Sequence, residues 1–297
     1  MDEGAPVALT GTSPLAVPDI EEVRRDARAA LDVVTATTRA LDAAGLAGPS
    51  ALPGWSRSHV LAHVTAIGTA MARQAEHAAH GELVEVYDGG AAGREAGIQE
   101  GAHRSVAEHV AALEALAERL DAAWPGPGSA GWDAPVTYRD GTVADALVAW
   151  WREVRIHAVD LDAGIGLDTW PRPLGLHLLD FLGVRLTDDV VVEVVGQPAS
   201  FVVGPAGLRT ATEPGSIPHA DAQEENAPGS GAPRAVVVRG RLTDIAAWLA
   251  GRTPAVEPVA HRADAAASLP EIGPWPSPYS PPKENPGPPK ENRSHAR

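Results

Sequence analysis

Two pairs of side chains in this sequence have the chemistry of metal ligands and lie one helical turn apart. Glu153 and His157 occur in the run WWREVRIHAVDLD, and His59 and His63 occur in SRSHVLAHV. Residues four positions apart share one face of a helix. Two imidazoles and one carboxylate gathered from two such helices would form a His₂Glu set. Catalytic zinc sites use this set and leave a fourth position open for water or substrate.

Helix geometry favours His63 over His59 as the ligand that would join Glu153 and His157. With about 100° between successive residues, His63 lies roughly 60° from the start of the apolar stripe at Val60, and His59 lies roughly 100° from it. His63 is therefore predicted to be nearer the interior of a helical bundle, and His59 is predicted at its border.

The spacing leaves three alternatives to a catalytic metal site open. The flanking Arg152 and Arg155 would make the surroundings of Glu153 a solvated charged face, because a Glu–His pair four residues apart often arises by chance. His63 by itself would serve as a core or boundary histidine. A site closed by His59 as a fourth ligand would be structural rather than catalytic.

Other polar residues near these pairs have less specific roles. Asp160 and Asp162 closely follow His157, and a carboxylate there could orient a ligand imidazole, although surface acids are the commoner case. We predict that the remaining histidines of the helical region lie at the surface. These are His77, His80, His103 and His109.

Apolar residues at three- and four-residue spacings predict four long helices that would position the candidate ligands. A shorter polar helix is expected over residues 91–103, and Ser56 is a plausible N-cap for the second long helix. Four long amphipathic helices in about 165 residues indicate an up-and-down bundle. The long helices are predicted from Asp19 to about Ala44, Arg57 to about His80, Ser105 to Ala122 and Thr142 to near Gly164.

The pattern changes after Pro173 to a helix followed by β-branched runs, so we predict an α+β protein with a small α+β domain after the bundle. The polar, Gly- and Pro-rich composition of residues 207–233 predicts a loop, and residues 213–233 are predicted to be an insertion in the small domain. The Pro-rich end of the chain lacks the composition of a packed core. The predicted divisions are a flexible N-terminal extension (1–18), a metal-binding four-helix bundle (19–170), an α+β domain (174–275) and a disordered tail (276–297).

Composition excludes several classes of function. The formal net charge is −15, which disfavours binding to nucleic acids and anionic membranes. The chain has no cysteine, so it offers neither disulfides nor a thiol nucleophile of its own. No run of about 18 apolar residues predicts a transmembrane helix, and the acidic start differs from a signal peptide. We expect a cytoplasmic monomer that acts on a small molecule.

Several spaced motifs resemble those of the mycothiol-dependent maleylpyruvate isomerase family. Its members are actinobacterial proteins with DinB-like metal-binding bundles. The resemblance is collinear and covers roughly residues 19–275. The motifs are PSALPGWSRSHVLAHV (49–64), YDGGAAGREAGIQEGA (87–102), WREVRIHAVDL (151–161), RGRLTDIAAWLAGR (239–252) and LPEIGPW (269–275). The resemblance implies a DinB-like up-and-down four-helix bundle followed by a small α+β domain.

The resemblance also implies which residues form the site. Family members hold a divalent metal, typically zinc, through positions that match His63, Glu153 and His157. Two further positions match Arg94 and Arg252, which are the candidate catalytic arginines and would bind the substrate carboxylates or the thiol cofactor. The residues that would bind that cofactor are not indicated.

The activity that the resemblance implies is a cis–trans isomerisation of maleylpyruvate to fumarylpyruvate, as in gentisate-type aromatic degradation. A low-molecular-weight thiol, mycothiol, would add to the double bond, allow rotation and leave again. A metal would favour this chemistry because coordinated thiols ionise near neutral pH. The alternatives are a mycothiol S-transferase that acts on another electrophile and a non-catalytic zinc-binding bundle.

Overall fold

The structure is a computed structural model that describes residues 19–211, 235–263 and 265–276. The predicted N-terminal extension (1–18), the predicted insertion (213–233) and the predicted tail from residue 277 onwards lie outside the described residues. No helix in the described ranges has both the length and the apolar character needed to cross a membrane.

Four long helices form a bundle, as the sequence predicts, and two shorter helices lie beside it. Helix α1 packs against α5 and α6, and α3 packs against the same two helices. The shorter helix α4 packs on α3. The bounds are α1 Ile20–Arg39, α2 Ala43–Ala47, α3 Arg57–Ala78, α4 Gly90–Gly101, α5 Val106–Ala123 and α6 Val143–Asp160.

The two helices that carry the candidate ligands begin at capping boxes, which fix the residue at which each helix starts. Ser56 accepts a hydrogen bond from the backbone N–H of His59, and the His59 ring returns a contact to the backbone of Ser56. Thr142 and Asp145 make the same reciprocal pair at the start of α6. Such caps satisfy the unpaired N–H groups of a first turn. The predicted N-cap at Ser56 is confirmed.

The second half of the chain adds α7 (Arg172–Leu182), α8 (Leu242–Leu249) and one six-stranded sheet of order β3-β2-β1-β4-β5-β6. Neighbouring strands are antiparallel except for β1 and β4, which are parallel. The α+β class is therefore confirmed. The strands are β1 Val190–Val194, β2 Ser200–Gly204, β3 Gly207–Thr210, β4 Val237–Gly240, β5 Val259–Arg262 and β6 Ala265–Ala267.

The prediction that the polar loop begins at residue 207 is wrong, because residues 207–210 form β3. Leu208 is buried, and its backbone N–H donates to Asp180 Oδ1 at 2.8 Å. Strand β3 pairs with β2 through a tight turn at Gly207, whose φ is +84°. A turn position with positive φ favours glycine, so the Pro-Ala-Gly sequence before Leu208 is typical of a hairpin turn.

The bundle core leaves no room for a side chain at Gly68 on α3. A Cβ there would lie 2.7 Å from Leu116 Cδ2 and 2.9 Å from Trp150 Cζ3. We expect Gly68→Ala to lower the free energy of unfolding by about 1–3 kcal/mol because of overpacking. Gly97→Ala is the matched control, since a Cβ at this exposed helical glycine meets nothing within 4 Å. The control should be neutral or stabilising. Urea unfolding compares the two, and equal destabilisation would contradict close packing at Gly68.

His109 is buried between three helices, so the prediction that it lies at the surface is wrong. Its Nε2 lies 2.8 Å from Ser58 Oγ, which in turn donates to the carbonyl of Ala102 at 2.7 Å. Because Ser58 uses its hydrogen on Ala102, His109 must donate to Ser58 through Nε2. Its Nδ1 is buried without a hydrogen bond in the described structure. Burial, together with the charge of Arg104, lowers the pKa of His109 to about 4.

This lowered pKa predicts a loss of stability in acid. The unfolded chain binds a proton at His109 near pH 6.5, whereas the folded chain does so only near pH 4. The stability that neutral His109 contributes is therefore fully present above pH 6.5 and is lost as the pH falls from 6.5 to 4. We expect His109→Gln to reduce the loss of unfolding free energy between pH 7.5 and pH 5 by about 1–2 kcal/mol. Urea unfolding at both pH values measures this difference, and an unchanged loss would contradict it.

Candidate metal centre

Three candidate ligands predicted from the sequence converge at one point between α3 and α6. His63 Nε2 lies 2.9 Å from His157 Nε2 and 3.4 Å from Glu153 Oε2. His157 Nε2 lies 3.2 Å from the same carboxylate oxygen. All three atoms lie within 4.8 Å of one another. Within the described ranges, this is the group of histidine and acidic side chains whose geometry suits a metal ion.

The cluster is buried, so the alternative of a solvated charged face is wrong. The side chains of His63, Glu153 and His157 are 5%, 15% and 10% exposed. Arg155 does not contact Glu153 and instead forms a bidentate ion pair with Asp26 on α1. The single carboxylate of the cluster thus faces two imidazoles in a largely dry environment.

Electrostatics favour an ionised Glu153 and a neutral His63. Burial alone would raise the pKa of Glu153, but hydrogen bonds with His157 and His63 and the nearby charges hold it well below its usual value. Burial and the neighbouring His157 lower the pKa of His63 to about 4. Burial opposes the charged form of His157, yet hydrogen bonds to Asp160 and Glu153 raise its pKa. The cluster therefore holds one carboxylate charge and attracts a positive charge.

His157 is oriented from behind by a buried carboxylate. Its Nδ1 lies 2.9 Å from Asp160 Oδ2, and Asp160 is fully buried. Arg252 Nε and Nη2 donate to the two oxygens of Asp160 at 3.0 and 2.7 Å. Asp160 accepts a hydrogen bond from His157 Nδ1–H, which keeps a proton on that nitrogen and turns Nε2 towards His63 and Glu153. The surface reading of Asp160 is wrong, whereas Asp162 is exposed.

The predicted catalytic arginines lie on opposite sides of the cluster. Arg94 Nη2 on α4 is 3.2 Å from His63 Nδ1, and its guanidinium lies 6.0 Å from the ring centre of Tyr87. Arg252 follows α8 and reaches the cluster only through Asp160. Three of the five N–H donors of Arg252 are used, because Nη1 also donates to the carbonyl of Ala250. Of these two arginines, Arg94 is the one that directly contacts a candidate ligand.

The donor set fits a divalent metal such as zinc. Two imidazole nitrogens and a carboxylate oxygen are its common ligands, and catalytic sites use three protein ligands. In its neutral form, with its proton on Nδ1 facing Asp160, His157 would present a lone pair at Nε2. The hydrogen bond from Arg94 to Nδ1 places the proton of neutral His63 on Nε2, so ligation through Nε2 requires this proton to leave that nitrogen. If it moved to Nδ1, the contact with Arg94 would be given up.

His59 lies one helical turn before His63 on α3, and its ring contacts Ser56 rather than the cluster. Its Nδ1 is 2.7 Å from Ser56 Oγ and 3.3 Å from the backbone N of Ser56, in the capping box of α3. It does not belong to the group of side chains close enough to share a metal with the other three. The helical-wheel placement of His63 inside and His59 at the border agrees with the structure.

Together, the fold and the cluster define an α+β protein whose helical bundle contains a buried His₂Glu cluster. Residues 27–162 match the family model "Mycothiol maleylpyruvate isomerase N-terminal domain". The resemblance seen in the sequence is therefore confirmed, and the family match covers these residues of the helical bundle.

Two solved structures share the fold. The chain is similar to a crystal structure of the mycothiol-dependent maleylpyruvate isomerase, with a TM-score of 0.68 and 22% identity. The alignment covers 87% of this chain and 99% of the other. A second structure, in which a histidine of that isomerase is replaced by alanine, aligns with the same values. At this identity the likeness shows the fold. No curated protein sequence matches significantly.

Proposed function

We propose that this protein is a metal- and mycothiol-dependent isomerase that converts maleylpyruvate to fumarylpyruvate. The observation that carries the proposal is the buried convergence of His63, Glu153 and His157, supported by the match of residues 27–162 to the N-terminal domain model of the mycothiol maleylpyruvate isomerase family. A chain without cysteine must obtain a thiol nucleophile from outside, which agrees with dependence on a thiol cofactor.

His63, Glu153 and His157 would hold the metal. A bound divalent metal, preferably zinc, would favour the thiolate form of mycothiol, whose reversible addition turns the cis double bond of the substrate into a rotatable single bond. Asp160 keeps His157 in the tautomer that offers Nε2 as a ligand. Arg94 would hold a substrate carboxylate or the developing enolate, because guanidinium groups bind carboxylates through two hydrogen bonds.

The contacts of His59 support a catalytic rather than a structural site. A structural zinc site is closed by four protein ligands, whereas a catalytic site has three and an open position. The residue best placed by sequence to be the fourth ligand, His59, is engaged by Ser56 at the start of α3. An open position is what a thiol would need.

Product analysis separates the proposed isomerase from an S-transferase. We expect zinc-loaded protein to convert excess maleylpyruvate to fumarylpyruvate while the concentration of free mycothiol stays constant. Nuclear magnetic resonance of the reaction mixture measures both. Loss of one mycothiol per product, with a stable thioether, would instead establish a transferase. Zinc binding without conversion of maleylpyruvate would contradict the proposed substrate and favour the non-catalytic alternative.

A further inference from the structure

Arg152 is a buried cation directly behind the candidate metal centre. It precedes Glu153 on α6, and its side chain is 3% exposed. An arginine side chain stays protonated in proteins, so this position places a full positive charge in the interior. Burying such a charge is costly unless nearby groups compensate for it.

Neutral groups hold the guanidinium of Arg152 in place. Nη2 donates to the hydroxyl of Tyr138 at 3.0 Å, and Nη1 donates to His177 Nε2 at 3.2 Å. The ring centre of Phe181 lies 3.6 Å from the guanidinium carbon. Burial and the charge of Arg152 lower the pKa of His177 to about 3, so this imidazole is neutral. These contacts fix the position of the cation but provide no opposite charge.

Arg152 forms an ion pair with Glu153. Arg152 Nε lies 3.9 Å from Glu153 Oε1, and Nε is buried without a hydrogen bond in the described structure. The other oxygen, Oε2, faces His63 and His157. The two oxygens of Glu153 are therefore divided between the cation on one side and the two imidazoles on the other.

We propose that Arg152 is a positioning residue for the metal centre, whose charge holds Glu153 Oε1 away from the cluster and leaves Oε2 as the ligand oxygen. This inference rests on the proposed metal site and assigns a role to a residue outside the ligand set.

Zinc affinity tests this role without measuring turnover. We expect Arg152→Met to weaken zinc binding about 10–100-fold, the range found when groups that orient metal ligands are removed. Arg152→Lys retains the charge and should recover most of the lost affinity. Arg155→Met is the matched control, because Arg155 lies on the same helix but pairs with Asp26. Competition with a chromogenic chelator measures affinity, and melting of the metal-free proteins monitors folding.

Wild-type affinity in Arg152→Met, equal weakening in the Met and Lys variants, or equal weakening in Arg155→Met would overturn the proposed role of Arg152. If Arg152→Met does not fold, Tyr138→Phe removes one anchor of the guanidinium and should weaken zinc binding several-fold; unchanged affinity would overturn the proposal. Absence of zinc binding by the wild-type protein would instead reject the proposed metal centre, and this inference with it.

Discussion

Replacing His63 or Glu153 by alanine should reduce the bound zinc of the purified protein from about one ion per chain to almost none. Each substitution removes one of three ligands, and the remaining two cannot hold zinc against dilution. Turnover of maleylpyruvate should disappear with the metal. Elemental analysis of the purified proteins measures the metal content, and circular dichroism shows whether the variants are folded.

His59→Ala is the control for these two variants. It removes an imidazole from the same helix, one turn from His63, and we expect it to retain zinc. It should lose only about 0.5–2 kcal/mol of unfolding free energy, because His59 contributes to the cap of α3. Unchanged zinc content in both His63→Ala and Glu153→Ala would refute the site. Loss of zinc in His59→Ala would indicate that this residue is a fourth ligand.

Asp160→Asn should lower both zinc affinity and kcat/KM about 10–100-fold, although Asp160 does not itself belong to the candidate ligand set. An amide is similar in size to the carboxylate, but it carries no charge for Arg252 and holds the His157 proton less strongly. Burial alone would raise the pKa of Asp160, yet its bonds to His157 and Arg252 lower it. Chelator competition and steady-state kinetics measure the two effects.

Asp162→Asn is the matched control for the Asp160 variant, because Asp162 is two residues away and largely exposed. It should leave affinity and kcat/KM unchanged. Equal effects of the two substitutions would show that Asp160 acts only through the local charge of the helix end. Wild-type kinetics in Asp160→Asn would show that His157 is oriented without it.

Local periodicity was sufficient to predict the bundle and the inward position of His63. The candidate ligands on α3 and α6 lie beside long apolar stripes, and this periodic signal depends little on tertiary context. The same reasoning could not place Asp160 or Arg252. Their contact joins residues 92 positions apart, and helix phase does not encode the docking of α8 against the bundle.

The failures at His109 and β3 have a similar physical origin. His109 lies among polar residues of α5, so its sequence neighbours indicate a surface position. In the fold, Ser58 of α3 and the end of α4 pack against His109 and bury it. Strand β3 is short and polar at its end. It pairs with β2 because a tight turn joins the two strands, and it has few of the β-branched residues that usually indicate a strand. The burial of Arg152 could not be predicted from the sequence, because its partners Tyr138 and His177 lie on other segments of the chain.

The most direct measurement is the rate of maleylpyruvate isomerisation by the zinc-loaded protein with and without mycothiol. The chain has no thiol of its own, and His63, Glu153 and His157 would be occupied by the metal. We therefore predict rapid formation of fumarylpyruvate only when mycothiol is present. Equal rates with and without the thiol would contradict the proposed isomerase.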